Sequence, residues 1–205
     1  MNGILLIGGG GHCRAAIDVI EAEGRFIIRG IVQPKADGVI PVLGYPVLGE
    51  DADLPVLLAD TPQALVTVGQ IKTHAIRLRL FEQLKKFGAV MPVIISPKAY
   101  VSRHGCVEEG SLILHGAIVN AGAQIGLNCI VNSLALIEHD AKIGNHCHIS
   151  TGARVNGGVI IEDGCFVGSG AVLHEGIRIG SGSVIGAGCV VTGDVAPNTL
   201  LKPHP

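Results

Sequence analysis

From Val101 onward an aliphatic residue recurs at every sixth position: Val107, Ile113, Val119, Ile125, Val131, Ile137, Ile143, Ile149, Val155, Ile161, Val167, Leu173, Ile179, Ile185 and Val191. Four residues after each, as far as Ile185, the side chain is small at nearly every step, beginning with Gly105, Ser111, Ala117, Ala123 and Cys129; Val159 and Ile177 are the bulky exceptions. A period of six fits neither the 3.6 of a helix nor the 2 of a long strand. It predicts a parallel β-helix of hexapeptide repeats, each hexad giving one short strand and one turn. The aliphatic residue points into the prism and the small one fits the corner. Three hexads close one triangular coil, so roughly five coils are expected. Cys129, Cys147 and Cys165 fall one coil apart and are predicted to stack in one column as small buried hydrophobes.

Before residue 91 the pattern changes. Ile4-Leu5-Leu6-Ile7 reads as a short buried strand, and Gly8-Gly9-Gly10-Gly11-His12 follows it. Ala15, Ala16, Val19 and Ile20 then share one helical face, and Gly24 stops the helix. Phe26–Val32 and Ala64–Val68 read as second and third strands, the latter closed by Gly69. Ile76, Leu80, Leu84 and Phe87 predict a second helix packed through that stripe, ending at Gly88. Strand, glycine turn, helix and strand predict an α/β half-Rossmann (βαβαβ) domain over residues 1–90, followed by the β-helix over 91–205.

Composition narrows the function classes. The 205 residues include 30 glycines, 3% aromatics and 16% charged residues, which suits many tight turns around small aliphatic side chains. A net charge of −2 gives no basic surface for nucleic acid. Gly110–Ile137 lacks Asp, Glu, Lys and Arg, but His115, Asn120, Gln124, Asn128, Asn132 and Ser133 interrupt it at the repeat spacing, so no membrane span is predicted. Met1-Asn2-Gly3 leads into the first strand without a secretory signal, which predicts a cytoplasmic protein with reduced thiols. Histidine spacing offers no metal site: His146 and His148, two apart near His139, are poorly spaced for zinc.

The glycine run offers backbone N–H groups at a helix N-terminus, which suits a phosphate. It is a poor dinucleotide fingerprint, because Cys13 stands at the third glycine position and Val32-Gln33-Pro34-Lys35 lacks the ribose-binding acid. Gly69 is predicted on the same carboxyl edge of the sheet as Gly10, Gly11 and His12, where a nucleotide diphosphate would lie. Gln33 would replace the acid, its amide both donating and accepting hydrogen bonds.

The hexad run resembles the left-handed β-helix acyltransferases, and the handedness is implied by that resemblance. The whole chain is similar to the bacterial nucleotide-sugar N-acetyltransferases of bacillosamine- and perosamine-type sugars, and to the sialic acid O-acetyltransferases. The resemblance rests on the strand followed by Gly8–His12, on Val68-Gly69-Gln70, and on Ile137-Glu138-His139-Asp140 with Ile143-Gly144 and His148. It implies an acetyl-CoA-dependent acetyltransferase acting on the amino group of a nucleotide-linked 4-amino-deoxy sugar, with no metal, working as a homotrimer with its sites between subunits. It implies His139 as general base and Asp140 as its orienter. His148, Gly157, Ser169 and Ala187 match acetyl-CoA-contacting positions, and Asn132 matches an asparagine near the reacting amine. The chain departs from the pattern at Gln33, where relatives usually carry Asp, and after Asn198, where they usually run on to Gly-x-Pro-Ala. Two other functions share parts of the pattern: O-acetylation of a sialic acid, and a non-catalytic hexapeptide-repeat binding protein.

Overall fold

The computed structural model describes residues 2–34 and 40–203. Strand β1 (Asn2–Ile7) is buried from Ile4 to Ile7, as a parallel strand covered on both faces must be. It pairs in parallel with β2 (Phe26–Val32) and β4 (Ala64–Val66), and a short β3 (Val47–Gly49) extends the sheet in the order β3-β2-β1-β4. Helix α1 (Gly11–Glu23) buries Cys13, Ala16, Ile17, Val19 and Ile20 and ends at Gly24, whose φ of 70° is left-handed. The sheet is therefore one strand larger than the sequence pattern predicts. A 3₁₀ turn (Asp51–Asp53) and helix α2 (Leu54–Asp60) were also outside that pattern, being too short to show a period.

Helix α3 (Ala75–Lys86) differs from expectation in its buried face. It buries Arg77, Leu80, Phe81 and Leu84, while Ile76 is 54% exposed and Phe87 caps the end. The Arg77 guanidinium replaces Ile76 because it meets buried carbonyls. It donates to Val66 O (3.1 Å), Val68 O (2.7 Å) and Asn128 O (2.8 Å), and to Asn128 Oδ1 (2.6 Å). The third strand also stops earlier than predicted, at Val66, so Val68 and Gly69 lie in the loop after it.

The rest of the chain is the left-handed parallel β-helix. Two-residue strands run from β5 (Ile94–Ile95) to β22 (Leu200–Leu201) and stack into three sheets of seven, six and five strands. Pairing is in register at the predicted spacing, as Ile125↔Val107 and Ile125↔Ile143 show. The period-six residues from Ile113 to Val191 are buried in one core with the small corner residues. Burying an aliphatic side chain contributes about 1.5–3 kcal/mol, so repetition of one modest contribution holds the prism together. Cys129, Cys147 and Cys165 occupy one column of corners, and their thiols donate to Gly144 O, Glu162 O and Gly180 O at 3.0–3.2 Å.

From residue 110 to 188 each turn places one residue at left-handed φ, again every six residues. Glycine fills this position at 110, 116 and 122 and from 152 to 188. Asn128, Leu134, Asp140 and His146 fill it in the four turns between. A side chain there costs on the order of 1–2 kcal/mol, so these turns carry side chains against the local preference.

The N-terminal domain packs on the seven-stranded sheet, here the first face, which includes Leu112–Ile113, Ile130–Val131 and His148–Ile149. Outward-pointing Leu112, Leu114 and Ile130 join α1 in a second core. Asp18 Oδ2 accepts from His115 Nε2 (2.7 Å), and His115 Nδ1 meets Ser96 Oγ (2.5 Å). His146 stacks edge-on against Phe81 with centroids 5.3 Å apart and bonds Asn128. His115 and His146 have no sequence signature, but both tie the domain to the β-helix.

Candidate active site

The predicted site residues fall on two edges of the prism. His139 and Asp140 lie in the turn between Leu136–Ile137 of the six-stranded second face and Lys142–Ile143 of the five-stranded third face. That edge is opposite the first face, which carries the N-terminal domain. Gly157 lies one coil below on the same edge. Asn132, Ser169 and Ala187 belong to the edge between first and second faces, and His148 projects from the first face itself. One chain therefore does not bring His139 to Asn132 or His148.

His139 Nδ1 lies 2.9 Å from Asp140 Oδ2, and both side chains are largely exposed. The left-handed backbone of Asp140, φ 60°, turns its carboxylate back beside the preceding ring. The Asp140 hydrogen bond raises the His139 pKa above its ordinary value, with a smaller push from the charges of Asp140 and Glu138. With Nδ1–H donated to Asp140, Nε2 is the nitrogen open to accept a proton. Asn120 Nδ2 donates to Glu138 Oε2 at 2.9 Å, and the same oxygen accepts from the His139 backbone N–H at 3.3 Å, while Asp140 takes Nδ1. Gly157 makes room for the ring: a Cβ there would stand 2.7 Å from both Cε1 and Nε2 of His139.

His148 is buried. Its Nδ1–H donates to Gln70 O (2.7 Å), and Nε2 accepts from Asn132 Nδ2 (3.1 Å). Burial lowers its pKa to about 4, so the ring is neutral at pH 7. Gln70 in turn donates to Cys165 O (3.2 Å). The loop after β4 thus clamps the first face and fixes His148, which fixes Asn132. The sequence marks Gln70 only as the last residue of Val68-Gly69-Gln70 and gives it no role, since its backbone carbonyl makes the key contact and any residue supplies one.

A cavity of about 500 Å³ opens at the carboxyl edge of the sheet, lined by Gly8–His12, Val32, Pro34, Asp51, Gly69 and residues of α3. A second, of about 480 Å³, is lined by Gly11, His12, Ala15, Gly69, Gln70, Ile71, Asn132 and His148. The two share Gly11, His12 and Gly69. Gly10 caps α1 without a side chain, and a Cβ on Gly10 or Gly11 would meet nothing within 4 Å. The His12 Nε2 atom is buried without a hydrogen-bond partner, and burial lowers the His12 pKa to about 3, with Arg77 adding to the effect. Gly10, Gly11, His12 and Gly69 therefore line one cavity, and Asn132 lines the other together with Gly11, His12 and Gly69. Gln33 is not gathered with them: it is buried against Gly9, whose Cβ would collide with Gln33 Oε1, and it is absent from the described lining. The neighbouring Lys35 lies outside the described residues.

Residues 3–84 match the PglD N-terminal domain, and residues 158–193 match the bacterial transferase hexapeptide (six repeats). Among curated proteins, none matches the chain. The structure of PerB from Caulobacter crescentus, in complex with CoA and GDP-perosamine, is 33% identical over 96% of this chain and 92% of that one, with a TM-score of 0.89. The chain belongs to the nucleotide-sugar N-acetyltransferase family. The acetyltransferase domain of PglB from Neisseria gonorrhoeae FA1090, in complex with acetyl coenzyme A, is 30% identical over 97% of this chain and 95% of that one, with a TM-score of 0.88. WeeI from Acinetobacter baumannii AYE, 24% identical over 96% of this chain and 94% of that one with a TM-score of 0.85, shares the fold.

As a member of this family the protein is an acetyltransferase. Among the described residues of this acetyltransferase, no group of three His, Cys, Asp or Glu side chains is placed to hold a metal. No helix among them is long and apolar enough to cross a membrane.

Proposed function

We propose that this acetyltransferase moves the acetyl group of acetyl-CoA to the amino group of a nucleotide-linked 4-amino-deoxy sugar, with His139 as general base. The observation that carries this reading is the 2.9 Å contact between His139 Nδ1 and Asp140 Oδ2, which leaves Nε2 as the proton acceptor. As the sugar nitrogen bonds to the thioester carbon, it loses a proton to Nε2. Asp140 holds the tautomer and stabilises the imidazolium, which then protonates the leaving CoA sulfur. The Gly157 N–H, beside the His139 ring, stabilises charge on the thioester oxygen. Asn132, fixed by His148, holds the acceptor amine.

The acceptor diphosphate is proposed to lie on Gly10, Gly11 and Gly69 at the N-terminus of α1, with His12 Nε2 as a side-chain partner. Acetyl-CoA is proposed to follow the edge of Ala187 and Ser169 toward His148. The protein is proposed to work as a homotrimer, each site joining His139 of one copy to the cavity of the next. Two facts support this. His139 stands on the edge opposite its own N-terminal domain. The second face also presents exposed Tyr100, Ile118 and Val190 in outward positions of its strands, an apolar surface suited to another copy. Six free cysteines, five of them buried, suit a cytoplasmic location.

Thiol release from acetyl-CoA, followed with GDP- and UDP-linked 4-amino-4,6-dideoxy sugars, tests the reading. The expected product is an amide at the sugar nitrogen. Faster acetylation of a sialic acid hydroxyl than of any nucleotide-linked amine would replace it with the O-acetyl function.

A further inference from the structure

The cavity at the glycine turn has two arms. Both meet at Gly11, His12 and Gly69. One runs to Asn132 and His148 on the β-helix, and the other runs away from it, to Val32, Pro34, Asp51, Ile76 and Arg79. A diphosphate at the junction sends the sugar along the first arm, toward Asn132. The nucleoside then takes the second. Val32, Pro34, Val68 and Ile76 give that arm apolar walls suited to the faces of a flat ring. Ile76 is exposed while Leu80, Phe81 and Leu84 of the same helix are buried, and a ring stacked on it would cover it.

The polar groups in this arm are a pair. Asp51 Oδ2 accepts from Arg79 Nη1 at 3.0 Å. Gln83 supports both partners: its Oε1 accepts from Arg79 Nη1 (3.3 Å) and its Nε2 donates to Asp51 O (3.4 Å). Asp51 begins the 3₁₀ turn, whose entry is fixed by reciprocal bonds between Glu50 and Asp53. The pair is thus braced from a helix and from a capped turn. Side by side, it presents one guanidinium donor and two carboxylate acceptors.

We infer that Asp51 and Arg79 read the base of the acceptor nucleotide and select guanine. This rests on the nucleotide-sugar reading above. The Watson–Crick edge of guanine offers an acceptor, O6, beside two donors, N1–H and N2–H, which complements the donor and two acceptors of the pair. Uracil and thymine place a carbonyl on each side of a single N–H, so one carbonyl would face a carboxylate oxygen. Cytosine offers one donor beside two acceptors. Asp51 is half-buried and Arg79 exposed in the free protein, and a bound base would cover both; an acceptor so covered and facing a carbonyl rejects the wrong base more strongly than apolar contact selects the right one. The missing acid after β2 is then supplied from another element, with a different role: it reads the base.

Calorimetric titration of GDP, UDP and CDP into the wild-type protein and Asp51→Asn tests this. Wild type is expected to bind GDP at least about tenfold more tightly than UDP or CDP. Asp51→Asn keeps the side-chain shape but turns one acceptor into a donor. It should weaken GDP by about 10–100-fold and leave UDP within about threefold, erasing the preference. Equal losses for GDP and UDP in Asp51→Asn, or a wild type that prefers UDP or CDP, would overturn the base assignment while leaving the nucleotide cavity in place. If none of the three binds wild type, the nucleotide-sugar reading itself fails, and this assignment with it.

Discussion

The imidazole of His139 lies against the α-carbon of Gly157, one coil further along the same edge of the prism. Residues at the same point of successive coils are neighbours, and here the lower one has given up its side chain. A Cβ on Gly157 would stand 2.7 Å from Cε1 and Nε2, so the ring must move if one is added.

Gly157→Ala is therefore expected to displace the general base with little effect on the fold. Displacement by even a fraction of an ångström from the reacting geometry should lower kcat by about 10–100-fold. The melting temperature should stay within a few degrees of wild type, about what a ~1 kcal/mol change would produce. Steady-state kinetics beside a thermal melt checks this. An unchanged kcat would mean that the ring position seen here is not the working one.

The His139–Asp140 contact predicts a pH profile. The hydrogen bond that His139 donates to Asp140 raises the His139 pKa, and the ring must be neutral to take a proton. Activity should thus rise with pH through a value above the ordinary 6.5 for histidine. Asp140→Asn removes the stabilisation of the imidazolium, so the rising limb should move to lower pH while the plateau falls. His139→Ala should lower kcat by about 10²–10⁴. A rising limb that stays in place in Asp140→Asn would separate the observed ionisation from His139.

Much of this was legible in the chain because it repeats. Period six told which residues point inward, and eighteen-residue spacing stacked the cysteines. What the repeat hides is the outside. Gln70, Arg77, His115 and His146 bind the domain to the β-helix largely through backbone carbonyls and ring contacts, which leave no pattern in one sequence. Arg77 is the clearest case: a guanidinium one position after Ile76 reads as the polar side of the helix, yet four acceptors at the domain boundary make it the buried one. Gln33 shows the converse. Its place after β2 suggested the pocket, but packing against Gly9 takes it away, and Asp51 enters from a turn too short to predict.

Separation of His139 from the acceptor cavity predicts complementation. Gly10→Asp removes acceptor binding and His139→Ala removes the base, so each variant alone should be nearly inactive. Oligomers assembled from a mixture of the two contain sites with an intact cavity from one copy and an intact His139 from the next. Refolding or co-expressing the pair should restore a substantial fraction of wild-type rate. Mixed oligomers as inactive as either parent would place both halves of the site in one copy.

Burial of His148 and His12 predicts acid sensitivity of the fold. The folded chain takes up protons on these rings only near about 4 and about 3, against an ordinary value of 6.5. Between those values the unfolded chain holds more protons, so stability rises with pH and is lost on acidification below 6.5. For His148 the loss is on the order of 3 kcal/mol by pH 4. His148→Gln lacks this titration and should flatten the dependence. Denaturation midpoints from pH 4 to 8 check it; parallel curves for variant and wild type would assign the acid sensitivity elsewhere.

Gly10→Asp sets stability against binding at one position. Gly10 is the N-cap of α1, has ordinary φ of −71°, and has open space where a Cβ would go. Aspartate is a good N-cap residue, and its charge suits the positive end of the helix dipole. The variant should therefore fold normally and melt within about one degree of wild type or slightly above it, from a gain of a few tenths of a kcal/mol. The same carboxylate would occupy the N–H groups proposed for the diphosphate and repel its charge. Nucleoside diphosphate affinity should fall by about 100-fold or more, equivalent to ~3 kcal/mol. Acetyl-CoA binding should be spared, because its proposed path lies on Ser169 and Ala187. Titration of GDP and acetyl-CoA into the variant, beside a melt, distinguishes these outcomes. A stable variant that still binds GDP like wild type would remove the diphosphate from the glycine turn.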